Sequence, residues 1–264
     1  MERENNIRIY YKNELNSVAL KDFNPIEIDL FFTILSQMRD KGTKEQIFSF
    51  YELRKLSNYT KSNSVESLVN DLETTYNKLI KLNVKIGTSK KWSRFVIFTK
   101  YIVDLEKQEI TTSLNDEFYY LINQLTDNFT RLELEELLNL KSIYSKNAYR
   151  LLKQYRATGR AIFTIEKFRE LLDIPESYEM ANINQRVIEP IRKELEPYFP
   201  NLKIKKIRGK GKDYRTIKKI EFTFMNDDSL NSGKRTFRDA DGNYYEKDII
   251  DFTSDEIKKV YPTF

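Results

Sequence analysis

The chain reads as an α+β protein made of two tandem winged-helix domains related by internal duplication, with a short C-terminal hairpin and tail. Three observations carry that reading. A segment recurs at a constant offset of 115 residues: Ile47-Phe-Ser-Phe-Tyr-Glu-Leu-Arg-Lys-Leu56 and Ile162-Phe-Thr-Ile-Glu-Lys-Phe-Arg-Glu-Leu171. Downstream the same offset sets Leu68, Leu72, Tyr76 and Ile80 on Ile183, Val187, Ile191 and Leu195, a four-residue apolar spacing proper to helices. Each copy then ends in alternating apolar positions around a basic turn, the pattern of two strands forming a wing.

The elements follow in order. Residues 1–23 form an arm with strand character at Ile7–Tyr11, and the first domain spans 1–128. Its opening helix carries Phe31, Ile34, Leu35 and Met38, which fall on Ala148, Leu151, Leu152 and Tyr155 when two extra residues are allowed. A short strand at Ile47-Phe48 leads to Ser49, placed as a helix N-cap with Glu52 completing a capping box. A longer helix over Asn63–Leu82 precedes strands at Val84–Ile86 and Phe95–Val103, expected to flank the first wing, Lys90-Lys-Trp-Ser-Arg94. Trp92 is expected to pack rather than to stack on a base. A further strand at Glu109–Thr112, a helix at Asn115–Leu125 and the linker Thr126-Asp-Asn-Phe129 close this half.

The second domain spans 129–225 and is expected to open on a capping box, Thr130-Arg-Leu-Glu133. Thr164 takes the place of Ser49 as N-cap. In the longer helix, Pro190 removes the donor for the carbonyl of Arg186 and predicts a kink. Strands around Leu202–Ile207 and Ile217–Phe224 are joined by the flexible turn Gly209–Arg215. Residues 226–264 read as a connector, a hairpin about Asp241-Gly242 and a tail. The run Asp239-Ala-Asp-Gly-Asn lacks the sixth-position glycine of a calcium loop.

Composition narrows the function. The 264 residues carry a net charge of +5, yet Lys203–Lys219 alone holds nine basic residues against one acid, so the remainder sums to −3. The positive field sits on one element. Neither histidine nor cysteine occurs, which excludes His-based triads, disulfides and the usual zinc ligand sets. Gly209-Lys-Gly-Lys-Asp lacks phosphate-loop spacing. No signal peptide or membrane-length apolar run is present, so a cytoplasmic protein without cofactor, metal or membrane partner is expected.

The candidate site lies in the second copy. Ile183, Val187, Ile188, Ile191 and Leu195 share one helix face, while Asn182, Asn184, Gln185, Arg186, Arg192 and Lys193 populate the rest. Arginine can fork onto guanine, and Asn or Gln onto adenine, so this face has base-reading chemistry. The competing reading pairs Arg186 and Arg192 with Glu189 and Glu196 on a solvated surface. Lys206, Arg208, Lys210, Lys212 and Arg215 surround two glycines and suit phosphates, which give affinity and register. In the first copy, Glu66, Asp71 and Glu73 spoil the helix for a polyanion, leaving Lys90, Lys91 and Arg94 as an auxiliary DNA contact, with self-association as a further role for that domain.

"LELEELLNLKSIYSKNAYRLLKQY", "FTIEKFRELLDI" and "NQRVIEPIRKELE" resemble the second domain of iteron-binding, theta-type plasmid replication initiators, the likeness covering residues 1–225. The ending "RDADGNYYEKDIIDFTSDEIKKVYP" is similar to initiators from plasmids of low-GC Gram-positive bacteria. The resemblance implies binding to double-stranded direct repeats at an origin, local melting with host initiator and replicative helicase, and autoregulation and copy control through dimers and monomers. It places base reading on Asn182, Gln185, Arg186, Arg192 and Lys193, and phosphate contact on Arg208, Lys210, Lys212 and Arg215. Rivals are a winged-helix transcriptional regulator and a nickase or carboxylate-metal nuclease; seventeen tyrosines are available for a nickase but no histidine, so no enzymatic activity is expected.

Overall fold

The computed structural model describes residues 7–38, 41, 45–87, 90–123, 129–211, 214–226, 234–238 and 244–248. The arm supplies strand β1 (Arg8–Lys12) and a single-turn helix, Asn13–Ser17. Helix α1 (Pro25–Met38) begins with proline at its first position, where no intrahelical donor is needed. Asn24 and Glu27 cap it reciprocally: Glu27 N–H donates to Asn24 Oδ1 at 3.0 Å and Asn24 N–H to Glu27 Oε2 at 2.7 Å. Ile28, Leu30, Phe31, Phe32, Ile34 and Leu35 are all buried, making α1 the central rod of the first unit.

Strand β2 (Gln46–Ser49) runs into α2 (Phe50–Leu56), and Ser49 with Glu52 forms the expected capping box. Helix α3 (Val65–Leu79) is capped by Ser64 and buries Leu68, Leu72 and Tyr76; Ile80 lies beyond its end and is exposed, unlike its counterpart Leu195. Next come β3 (Asn83–Gly87), β4 (Trp92–Val96), β5 (Phe98–Asp104), β6 (Glu109–Leu114) and α4 (Asp116–Asn123). Here the structure corrects the sequence reading. The three-stranded sheet runs β2-β6-β5, so the hairpin joined to the helix-turn-helix is β5–β6, whereas β3–β4 forms a separate two-stranded hairpin. Both hairpins alternate and both turns carry lysine, so local pattern could not tell which one β2 would pair with.

Strand β7 (Phe129–Glu133) pairs antiparallel with β1, Arg8 opposite Glu133. The capping box expected at Thr130–Glu133 is therefore absent: these residues are strand, and Glu133 precedes α5 (Leu134–Asn139) without a side-chain cap bond. Thr130 instead donates to Asn13 and accepts from Asn16. Helix α6 (Ile143–Lys153), β8 (Arg160–Thr164), α7 (Ile165–Leu172), α8 (Met180–Ile183), a π-helical turn (Asn184–Ile188), α9 (Glu189–Leu195), β9 (Lys203–Arg208) and β10 (Ile217–Thr223) complete the second unit, with sheet order β8-β10-β9. That order matches β2-β6-β5. Strands β11 (Lys234–Arg238) and β12 (Tyr244–Asp248) pair as the expected C-terminal hairpin, whose turn at Asp241-Gly242 lies outside the described residues.

The duplication extends to backbone detail. At offset 115, Asn58 (φ 49°) and Asp173 (φ 53°) both adopt the left-handed conformation that ends α2 and α7. The next amide closes back on the equivalent arginine carbonyl in each copy, Tyr59 to Arg54 at 3.0 Å and Ile174 to Arg169 at 2.9 Å. The guanidinium groups then hold the following turn, Arg54 on the carbonyls of Ser62 and Ser64, Arg169 on those of Pro175 and Tyr178.

The units meet on α6, which inserts a buried row of cations. Lys146 donates to Asp29 at 2.6 Å and to the Leu137 carbonyl at 2.7 Å; Arg150 donates to the Leu15 and Val18 carbonyls; Lys153 pairs with Glu133 and Glu136. Burial raises the Asp29 carboxyl to about 7, more than Lys146 lowers it. Under the two-residue shift that aligns α1 with α6, Asp29 and Lys146 are equivalent positions, so equivalent points of the two copies touch.

Candidate nucleic-acid interface

The helix α8–α9 owes its two faces to the apolar spacing. Ile183, Val187, Ile188, Ile191 and Leu195 are at most 1% exposed, while Gln185, Arg186, Arg192 and Lys193 stand in solvent. Pro190 has no N–H for the Arg186 carbonyl, and the chain meets that loss with the wide turn just before it. There the Glu189 amide donates to Asn184, five residues back. The expected kink is thus a π turn, and it lies within the stretch that the sequence reading expects to read bases.

Two of the sequence candidates have structural duties. Asn182 is half-buried, and its Oδ1 accepts from the Glu179 amide at 3.2 Å, so it fixes the start of the helix. Asn184 Oδ1 accepts from Lys206 Nζ at 2.8 Å, which ties helix to wing. Arg192 forms an ion pair with Glu189 at 2.6 Å, as the solvated-surface reading expects. Among the described residues, Arg186 pairs with no glutamate: it donates to Tyr178 Oη at 3.2 Å and lies over that ring at 5.4 Å. The bond to Arg186 is the main reason the Tyr178 hydroxyl sits below its ordinary pKa. Arg186 is therefore held at the surface by an aromatic support rather than neutralised by a carboxylate. Sequence reasoning missed Tyr178, since nothing in local pattern marks a loop tyrosine as the platform for a residue eight positions on.

The wing is formed as expected. Ile220 and Phe222 of β10 are buried, whereas Lys203, Lys205, Lys206 and Arg208 of β9 are exposed. Register sets Lys206 opposite Ile220, on the side of the sheet that faces the helix, which is why it reaches Asn184. At the tip the Gly209 amide donates to Thr216 at 2.9 Å, and Gly211 has φ +61° with open space where a side chain would be. Lys210 is exposed there; Lys212 lies outside the described residues. Arg215 bonds Tyr214 Oη at 2.6 Å and covers its ring, and Tyr214 is 53% exposed, another aromatic the sequence reading passed over. Asn184 and Lys206 are thus brought together, and the basic tip projects from the same hairpin.

The first unit differs. On α3, Asp71 is turned inward to Tyr59 and Lys61, and Lys78 pairs with Glu27 at 2.6 Å, while Glu66 and Glu73 remain exposed. Lys90, Lys91 and Arg94 are exposed on β3–β4, apart from the three-stranded sheet. Trp92 is 53% exposed, and its ring packs against Lys85 and Arg94 at the surface.

Among the described residues, no group of three or more His, Cys, Asp or Glu could hold a metal ion, and no helix is long and apolar enough to cross a membrane. A cleft of about 410 Å³ lies between α1, the turn after α2 and Leu138 of α5, with Asp29 and Lys61 on its wall.

The chain matches a family described as "Initiator Replication protein, WH1" over residues 8–153 and one described as "Initiator Rep protein, WH2" over residues 164–224. A "Probable replication protein rep" of Bifidobacterium longum (strain NCC 2705) is 35% identical over 218 residues, covering 82% of this chain and 72% of that protein. The crystal structure of Pi initiator protein in complex with iteron DNA superposes with a TM-score of 0.65 at 15% identity, over 85% of this chain and 99% of that one, a likeness of fold. With both initiator domains matched, the chain belongs to the initiator replication protein (Rep) family, proteins that bind DNA to start plasmid replication.

Proposed function

We propose that the protein binds repeated double-stranded sites, iterons, at a plasmid origin. In this reading the second unit (residues 129–225) is the main reader. Gln185, Arg186, Arg192 and Lys193 face base edges in the major groove, and Lys206, Arg208, Lys210, Lys212 and Arg215 grip phosphates. The observation that carries it is the Lys206–Asn184 bond of 2.8 Å, which fastens the basic wing to the polar helix so that both meet one duplex. The Pi initiator, whose fold is similar, was solved with iteron DNA. The first unit (residues 1–128) supplies an auxiliary contact through Lys90, Lys91 and Arg94 and a surface for self-association, with monomers acting at the origin and dimers repressing the gene. Residues 226–264 form a connector and tail. Host initiator and helicase complete the assembly in the cytoplasm, and the protein acts by binding rather than catalysis.

The test is replication of a reporter plasmid that carries the DNA flanking this gene, with the protein supplied in trans. Origin-dependent maintenance is expected, with protected direct repeats about two helical turns apart. Repression without replication, over a single inverted repeat, would make the protein a regulator. Nicking of supercoiled origin DNA with magnesium would make it an enzyme.

A further inference from the structure

Arg186 projects from the π turn, roughly two helical turns beyond Tyr178, yet its guanidinium bonds that tyrosine's hydroxyl and lies over its ring. Helical side chains lean toward the N-terminus, and the tyrosine draws this one on toward the start of α8. In a recognition helix that is the end that meets base edges in the major groove. Tyr178 is itself fixed at three points. Its amide donates to the Pro175 carbonyl at 3.0 Å, its carbonyl accepts from Arg169, and its hydroxyl shares a hydrogen bond with Tyr144 of α6. Two acids of the region are engaged elsewhere: Glu189 pairs with Arg192, and the Asp173 carboxylate accepts from the Asp22 amide at 2.7 Å. Among the described residues, Nε and Nη2 of Arg186 carry no hydrogen bond, so one edge of the fork stays open. The first copy offers a comparison within the chain. At offset 115, Asp71 stands in the place of Arg186 and Asn63 in that of Tyr178, and Asp71 is turned inward to Tyr59 and Lys61. The assembly thus occurs in the copy whose helix carries the basic face.

An unsupported surface arginine samples many rotamers, and fixing one of them on binding costs entropy. A guanidinium already stacked and bonded loses less and arrives in one orientation. Stacking covers a face of the group and leaves its planar edge free, the edge that forks onto O6 and N7 of guanine. We propose that Tyr178, backed by Tyr144, is a positioning residue that presets Arg186 to read one guanine in the duplex. The proposal rests on the base-reading assignment above and deepens it, naming the base and the residue outside the helix that governs its selection.

Affinities of the full-length protein for its cognate duplex and for an unrelated one, read by anisotropy, test this together with selection from a randomised pool. Tyr178→Ala should weaken the cognate complex roughly tenfold and the unrelated one hardly at all. Tyr178→Phe keeps the ring and should retain most of the affinity. In an Arg186→Ala background, Tyr178→Ala should cost nothing further, because the platform then has no side chain to hold. Pools selected by Tyr178→Ala and by Arg186→Ala should relax at the same single position, a G·C pair in the parental consensus. Parental cognate affinity in Tyr178→Ala, additive losses in the double variant, relaxation at different pairs or at an A·T pair, or equal loss on both duplexes would each overturn the platform. Parental consensus and affinity in Arg186→Ala would instead refute the base-reading assignment, and the platform with it.

Discussion

Arg54 and Arg169, equivalent under the 115-residue offset, each pin the turn of a helix-turn-helix through two backbone carbonyls. Charged hydrogen bonds of this kind contribute about 1.5–3 kcal/mol, so Arg169→Ala should lose about that much in urea unfolding and reduce DNA binding by loosening the helix start. Glu133 gives a pH dependence. Burial pushes its carboxyl up, but Lys153, Arg131 and Arg156 outweigh this and leave it below its ordinary value. A depressed carboxylate contributes stability above its unfolded pKa of about 4.3 and loses it as pH falls through the folded value. Glu133→Gln should therefore be less stable than the parent at pH 7, and the gap should close on acidification below about pH 4. Both arginines could be matched from sequence, because they sit inside the recurring segment. Their role could not, since it depends on carbonyls in turns whose path no local pattern specifies. The buried Lys146, Arg150 and Lys153 were less legible still: cations at helical spacing look the same in sequence whether water or a neighbouring unit receives them.

Among elements, the proposed reading divides the work between helix and wing by chemistry. Replacing Gln185 or Arg186 by alanine should cost about 1–3 kcal/mol on the cognate site and little on unrelated duplex, if each reads a base edge. Neutralising Arg208, Lys210 and Arg215 together should weaken all sequences alike and reduce the log–log salt slope by about 0.9 for each phosphate the wing no longer neutralises. The wing was legible because strand alternation flanked its basic turn, and two glycines marked the turn itself. The helix was legible in its apolar face, while the π turn was foreshadowed only by Pro190. The first unit's wing was misplaced for a different reason. Which hairpin joins the sheet is decided by the pairing of β2 with β6, whose paired residues lie sixty or more positions apart in the chain.

At the scale of the whole molecule, the two copies are locked through their equivalent helices α1 and α6. Lys146 is buried against Asp29 at the point where equivalent positions meet. Removing Lys146 leaves both the Asp29 carboxyl and the Leu137 carbonyl without their charged donor. Lys146→Met should therefore cost about 3–5 kcal/mol, and adding Asp29→Leu should recover most of it in a double-mutant cycle. The duplication itself was written in caps and apolar spacing, which survive where most side chains differ. The interface between copies was not, because it is built from buried charges and carbonyls. The central claim is that the α8–α9 helix chooses the sequence and the β9–β10 wing supplies grip. Selection of bound duplexes from a randomised pool tests it most directly, comparing the parent with Gln185→Ala/Arg186→Ala and Arg208→Ala/Lys210→Ala/Arg215→Ala. The helix variant should recover a relaxed or altered consensus, and the wing variant the parental consensus at lower affinity. A parental consensus from the helix variant together with an altered one from the wing variant would contradict the assignment.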